Sequence, residues 1–399
     1  MHELDTILST LRLEADPELS TLFYQFEELY EKKLWHQLTQ SLIQFFHDPK
    51  SVSLRLRVYD TFINKFIDKI NQLSVVDFLL LSLKATEDSE EALRYLNELI
   101  LEFEQIDSKK QRNDGLRSHD FGVFLIKIEI ARIYLHQNEL IKSKDVLIDI
   151  SNKLESNESV PLRVTSAFYD VNAEYYRLKK DFNSYYYTSL LYLSTLDMFN
   201  NGGSTNITVS NTDEDMKNFA YNLSIGALLG DKIYNFGELL NHPIMKYLVT
   251  DSKYEWLLQL LNSLTNGDFN QFDKIVTVQI KKNKILAEHE SFLRQKICLM
   301  TLIEIVFEKN IRTISFDDIV EATHLPKDNV EHLVMKAISL GLLKGSIDQI
   351  VELVTITWVQ PRIINVEQIN NMNQRLVEWD EQVKLLGEKI ELQGKSIWV

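Results

Sequence analysis

Apolar residues recur at helical spacing through the first half of the chain, with short polar turns between the runs, so that half reads as helix after helix. Phe124, Ile128, Ala131 and Leu135 form one stripe. After Gln137, Asn138 and Glu139, an answering stripe follows at Leu140, Leu147, Ile150 and Leu154. Beyond Pro161 the arrangement returns: Val164, Phe168, Val171, Tyr175 and Leu178, a turn at Lys179, Lys180 and Asp181, then Phe182, Tyr186, Leu190 and Leu193. Ala131 and Ala173, Tyr134 and Tyr176, Leu140 and Phe182, and Ile148 and Leu190 each stand 42 positions apart, which marks a helical-hairpin repeat. A single hairpin of this size leaves an apolar face uncovered, so the spacing predicts stacking into a right-handed, tetratricopeptide-like solenoid. A further echo at Leu261, Leu264, the Gly267-Asp268-Phe269 turn and Phe272 carries the stacking onward.

From 315 to 362 the pattern changes to that of a winged helix. Ser315 is placed to cap a short helix with Asp317 and Asp318 in its first turn, His324, Leu325 and Pro326 make a turn, and a second helix reaches Leu340. Val330, Leu333, Val334, Ala337 and Ile338 give that helix one core face, and Gly341 ends it. Two strand-like runs follow, 342–347 and 353–359, with Val354, Ile356 and Trp358 alternating against Thr355 and Thr357. Ile347, Leu353, Thr355 and Thr357 are the candidate contact positions of this wing.

After Pro361, Ile369, Met372, Leu376, Trp379, Val383, Leu386 and Ile390 are spaced 3, 4, 3, 4, 3 and 4, a heptad stripe. Gly387 interrupts it at a cost of about 1 kcal/mol. Seven large apolar side chains left in water forgo upwards of ~10 kcal/mol in sum, so the stripe needs a cover. Two covers are open: a fold-back onto the same chain, or a bundle of helices from other subunits. All seven are candidate interface residues. So are Tyr185 and Tyr187, which fall off the core stripe of a cluster with Tyr175, Tyr176, Tyr186 and Tyr192.

Charge turns the winged helix away from its usual ligand. Between 315 and 359 Lys327, Lys336 and Lys344 face Asp317, Asp318, Glu321, Asp328, Glu331, Asp348 and Glu352, and the second helix offers Asp328, Glu331 and His332 where a groove reader carries arginine. Gripping phosphate requires cations, so no nucleic-acid partner is expected and a protein-docking module is. The whole chain, 399 residues at net charge -15, points the same way. Its 12 Gly and 6 Pro are few for that length, which favours long helices. No apolar run approaches the ~18 residues of a membrane-spanning helix, and a lone cysteine, Cys298, permits no internal disulfide. An intracellular soluble protein, with no membrane partner, is the expectation.

No enzyme signature holds. Gly202-Gly203 lies in a polar stretch, 200–215, rather than after a strand, and His289-Glu290 lacks a second histidine, so neither a nucleotide nor a metal site is indicated. Cys298 is flanked by Ile297, Leu299 and Met300 and reads as a core thiol; Asp317 and Asp318 read as a helix's first turn rather than a catalytic pair. The expected catalytic, cofactor-binding and metal-binding sets are empty. The basic loop 107–120 and the run Lys281-Lys282-Asn283-Lys284 read as solvated turns.

Stacked hairpins, then a winged helix, then a heptad helix resemble the PCI family, the scaffold subunits shared by the proteasome lid, the signalosome and the translation-initiation complex. The general match rests on 292–307 leading into 314–362. The runs YTSLLYL (187–193), GDKIYNFGELL (230–240) and HLPKDNVE (324–331), with 341–349 and the terminal SIWV (396–399), resemble a fungal lid subunit of the 26S proteasome regulatory particle. The resemblance implies a mainly α chain in three parts: a solenoid over 1–182, a PCI domain over 183–362 with its winged helix at 311–362, and a bundle helix and tail over 363–399. It implies a non-catalytic subunit of a large hetero-oligomer, acting in lid assembly and ubiquitin-dependent degradation through PCI–PCI contacts with other lid subunits and a C-terminal helical bundle. A PCI scaffold of another complex, or a winged-helix nucleic-acid binder, are the rival expectations.

Overall fold

The computed structural model describes residues 2–14, 16–84, 88–109, 119–157, 159–201, 213–249, 253–279, 283–309, 313–360 and 366–394. Two compact units divide the chain, Met1–Ile207 and Thr208–Val399.

The first unit is helical: α1 (His2–Glu14), α2 (Pro17–Glu31), α3 (Trp35–His47), α4 (Arg55–Thr61), α5 (Gln72–Leu83), α6 (Ser89–Lys109), α7 (Asp120–His136), α8 (Leu140–Glu155), α9 (Leu162–Lys179) and α10 (Phe182–Asn201). The 42-residue repeat is the pair of hairpins α7–α8 and α9–α10, and their turns are the same device. Asn138 and Lys180, themselves 42 apart, hold φ of 61° and 60°. Behind each, the next residue's N–H reaches back to a carbonyl of the preceding helix: Glu139 to Tyr134 at 2.9 Å and Asp181 to Tyr176 at 3.1 Å. That closes the helix end and reverses the chain. Lys33 between α2 and α3 does the same, at φ 55° with Leu34 donating to Leu29. The stripe residues Phe124, Ile128, Ala131, Leu135, Val164, Phe168, Val171 and Tyr175 are buried in one continuous core, while Leu178 and Ile148 are exposed. Arg132 of α7 bonds Asp170 of α9 at 2.8 Å, tying one hairpin to the next.

The boundary between the two compact units falls at Ile207/Thr208. The reason is packing: α10 lies along α9, with Tyr186 and Leu193 buried, so the two cannot belong to different bodies. Of the polar stretch 200–215, the ends are helical, in α10 and the next helix, and 202–212 lie outside the described residues.

The second unit begins with α11 (Asp213–Leu229), α12 (Gly237–Asn241), α13 (Met245–Val249), α14 (Glu255–Asn266), α15 (Phe269–Gln279), α16 (Lys284–Glu288) and α17 (Glu290–Lys309). Gly267, at φ 66°, turns α14 into α15; a Cβ there would come 3.0 Å from Thr301 Cα of α17, so the turn requires glycine for both conformation and space. The winged helix follows: β1 (Thr313–Ser315), α18 (Phe316–Thr323), α19 (Lys327–Ser339), β2 (Leu343–Asp348) and β3 (Leu353–Val359), and then α20 (Val366–Gly394). Ser315 caps α18 with a reciprocal bond pair to Asp318, so the acidic first turn is structural.

The sheet is antiparallel in the order β1-β3-β2. Three-residue β1, too short to be legible as a strand, pairs Thr313, Ile314 and Ser315 with Thr355, Val354 and Leu353. Between β2 and β3, Gly345 pairs with Ile356 and Lys344 with Trp358, leaving Thr357 as an extra residue in a bulge. The bulge breaks the alternation. Val354 and Ile356 are buried as expected, but Trp358 is 42% exposed, with Lys344 Nζ 5.1 Å from its ring centre.

Candidate protein-docking surfaces

The platform under the winged helix is held by a lysine that no pattern in the sequence singles out. Lys296 on α17 is buried, and its Nζ donates to the carbonyl oxygens of Ala227 (2.9 Å), Leu228 (3.0 Å) and Gly230 (2.8 Å). Ala227 and Leu228 carry C-terminal carbonyls of α11 and Gly230 follows directly after it; such carbonyls have no partner within the helix and sit at the negative end of its dipole. Three donors meet three acceptors. The rings of Tyr234, Phe236 and Phe292 lie 5.1–5.6 Å from the nitrogen. Burial lowers its pKa to about 7, against the opposing pull of Asp231. A buried lysine beside carbonyls and aromatic rings binds a helix end.

On this platform the winged helix presents little free positive charge. Lys327 lies between Asp317 (3.2 Å) and Glu352 (2.5 Å), Lys336 bonds the Gln295 carboxamide, and Lys344 covers Trp358. Of the three, Lys327 alone is met by carboxylates.

The four wing candidates separate by topology. Ile347, half-buried, lies on β2, an edge strand whose outer backbone is free to meet a neighbour. Leu353 and Thr355 belong to β3, which is central; β1 covers their backbone on one side and β2 on the other. They are half-buried inside the three-stranded sheet. Thr357, beyond the reach of β1, is exposed, and its Oγ1 donates to Lys344 O at 3.0 Å. At the hairpin tip, Asp348 Oδ1 accepts from the N–H groups of Ile350 and Val351, which thrusts those two side chains into solvent at 94% and 61% exposure. Sequence reading passed over both because they interrupt no periodic stripe.

The tyrosine pair also separates. Tyr187 is 53% exposed, but Tyr185 is only 5% exposed, and burial pushes its hydroxyl up to about 12. Tyr185 is a core residue, because α9 covers the side of α10 that carries it.

The largest uncovered apolar surface is α20. Ile369, Met372, Leu376, Trp379, Val383, Leu386 and Ile390 are between 45% and 64% exposed, and every described side chain from 369 to 393 faces solvent. The fold-back alternative is thus not adopted. What remains is a long helix with an open seam.

Chemistry is sparse elsewhere. Among the described residues no group of three histidine, cysteine, aspartate or glutamate side chains could hold a metal ion. Cys298 is buried, and burial pushes the pKa of its thiol up. A cleft of ≈ 590 Å³ is lined by Tyr221, Tyr254 and Trp256, by Lys253 and Glu255, and by neighbouring carboxamides.

Family models match the chain almost end to end: PSD13 N-terminal repeats over residues 22–261, PCI domain over 274–358, and Rpn9 C-terminal helix over 362–394. Over 398 residues the chain is 63% identical to the 26S proteasome regulatory subunit RPN9 of Saccharomyces cerevisiae, covering 100% of this chain and 99% of that one. It is 40% identical to the probable 26S proteasome regulatory subunit rpn9 of Schizosaccharomyces pombe, covering 96% and 95%. It is 33% identical to the 26S proteasome non-ATPase regulatory subunit 13 of Dictyostelium discoideum, covering 92% of each.

Proposed function

The chain belongs to the 26S proteasome RPN9 and non-ATPase subunit 13 family, and from that premise we propose that it is a non-catalytic structural subunit of the regulatory-particle lid. It acts in lid assembly, and so in ubiquitin-dependent protein degradation, by docking to other lid subunits through its winged helix and its C-terminal helix. The observation that carries the reading is the open apolar seam of α20, in the stretch that matches the Rpn9 C-terminal helix model. An exposed heptad of this size has a use only in a bundle.

The match to a C-terminal helix model named for Rpn9 favours this assembly over other PCI scaffolds. The acidic excess of the winged helix, in which Lys327 is held between Asp317 and Glu352, favours protein over nucleic acid as partner. Cytoplasm and nucleus are the compartments this role requires, and an unpaired, buried cysteine is compatible with their reducing conditions.

The test is co-migration with proteasome lid subunits in native extract, comparing the full chain with one lacking 365–399. The truncated chain is expected to keep its unfolding transition and to lose most of its incorporation. Equal incorporation of the two would overturn the role given to α20.

A further inference from the structure

The seam of α20 has two unequal edges. With Ile369, Leu376, Val383 and Ile390 at a and the intervening apolar residues at d, the e edge carries Asn373, Asp380 and Gly387, and the g edge carries Arg375, Gln382 and Lys389. On the e edge Asp380 accepts from Lys384 at 2.8 Å, so its charge is met within the helix. On the g edge Arg375 and Lys389 are exposed and enter no ion pair among the described residues. Two unopposed cations beside an apolar seam, in a chain of net charge -15, stand against the prevailing sign.

Heptad seams accept another helix by inserting knobs into holes, and the e and g charges decide which helix is admitted and in which register. A second copy of this chain meets the requirement poorly. In parallel register, g of one helix faces the residue five positions on in the other, so Arg375 faces Asp380 but Lys389 faces Gly394. In antiparallel register g faces g, which sets cation beside cation.

Resting on the lid-subunit reading above, we propose that α20 selects its neighbour by charge: a helix from another subunit, with an apolar heptad seam whose facing edge places Asp or Glu opposite both Arg375 and Lys389. These two residues set specificity, while the apolar seam supplies the adhesion.

The experiment compares incorporation of full-length variants into the native lid. Arg375→Glu and Lys384→Glu each change the charge by two units in the same direction, on opposite edges of one helix. Arg375→Glu is expected to lower incorporation several-fold, the double variant Arg375→Glu with Lys389→Glu about ten-fold or more, and Lys384→Glu little. The deficit of the double variant is expected to shrink as salt is raised, since exposed charges are screened within about 10 Å at 0.1 M. All three side chains are exposed, so circular dichroism and the unfolding midpoint should stay at their wild-type values, which separates misfolding from lost recognition.

The proposal fails if the double variant assembles like wild type, if Lys384→Glu costs as much as Arg375→Glu, or if the wild-type chain alone sediments at micromolar concentration as a dimer that Trp379→Asp dissolves. A wild-type chain absent from proteasome lids would instead remove the functional reading, and this inference with it.

Discussion

Lys296 Nζ donates to Gly230 O at 2.8 Å, joining positions 66 residues apart and locking the end of α11 to the middle of α17. Because α17 leads directly into β1 and α18, this contact orients the winged helix relative to the helices beneath it. Lys296→Met keeps most of the side chain's bulk but leaves three buried carbonyls without donors. The expected cost is roughly 2–4 kcal/mol, read as a lower urea midpoint at unchanged slope.

The same lysine makes stability depend on pH. In the folded chain its proton leaves at about 7, and in the unfolded chain at the ordinary 10.5. Between those values the unfolded state binds more protons, so the stability that Lys296 contributes rises with pH from about 7 toward 10 and is least below that window. Subtracting the urea unfolding free energies of Lys296→Met from those of wild type at several pH values isolates this slope. A flat difference would mean the ammonium stays charged among its three carbonyls.

Tyr185 and Tyr187, two residues apart on α10, are expected to respond oppositely. Tyr185→Ala empties a buried site and should cost about 3 kcal/mol or more. Tyr187→Ala, at an exposed position, should fall within about 0.5 kcal/mol of wild type in thermal unfolding.

Trp379→Asp separates folding from assembly. At 64% exposure the indole supports nothing within the chain, so the unfolding midpoint should not move. Within a bundle the same substitution buries a carboxylate, and incorporation into the lid is expected to fall as far as it does on removing the helix.

Gly345 in β2 is a backbone contact point. A Cβ there would lie 2.3 Å from Thr355 O, so Gly345→Val must push the two strands apart beside the bulge. The expected result is faster amide exchange across β2 and β3 and a loss of about 1–3 kcal/mol, with α7 to α10 unaffected.

Periodicity carried the sequence far because helices declare themselves locally. The stripes from Phe124 to Tyr175, the turns at 137–139 and 179–181, the Ser315 cap and the heptad of α20 all follow from spacing within a few turns of chain. Each is a short-range consequence of 3.6-residue geometry. The net charge of the winged helix and the single cysteine were equally open to reading.

Contacts between distant segments were decided only in three dimensions. β1 has three residues and no periodic signal, yet it made β3 central and took Leu353 and Thr355 off the edge. One bulged residue, Thr357, turned Trp358 outward against its alternation. Tyr185 became core because α9 covers it, and Lys296 became a helix cap because α17 passes the end of α11. Spacing along one segment states which face is apolar; what covers that face depends on where the rest of the chain goes.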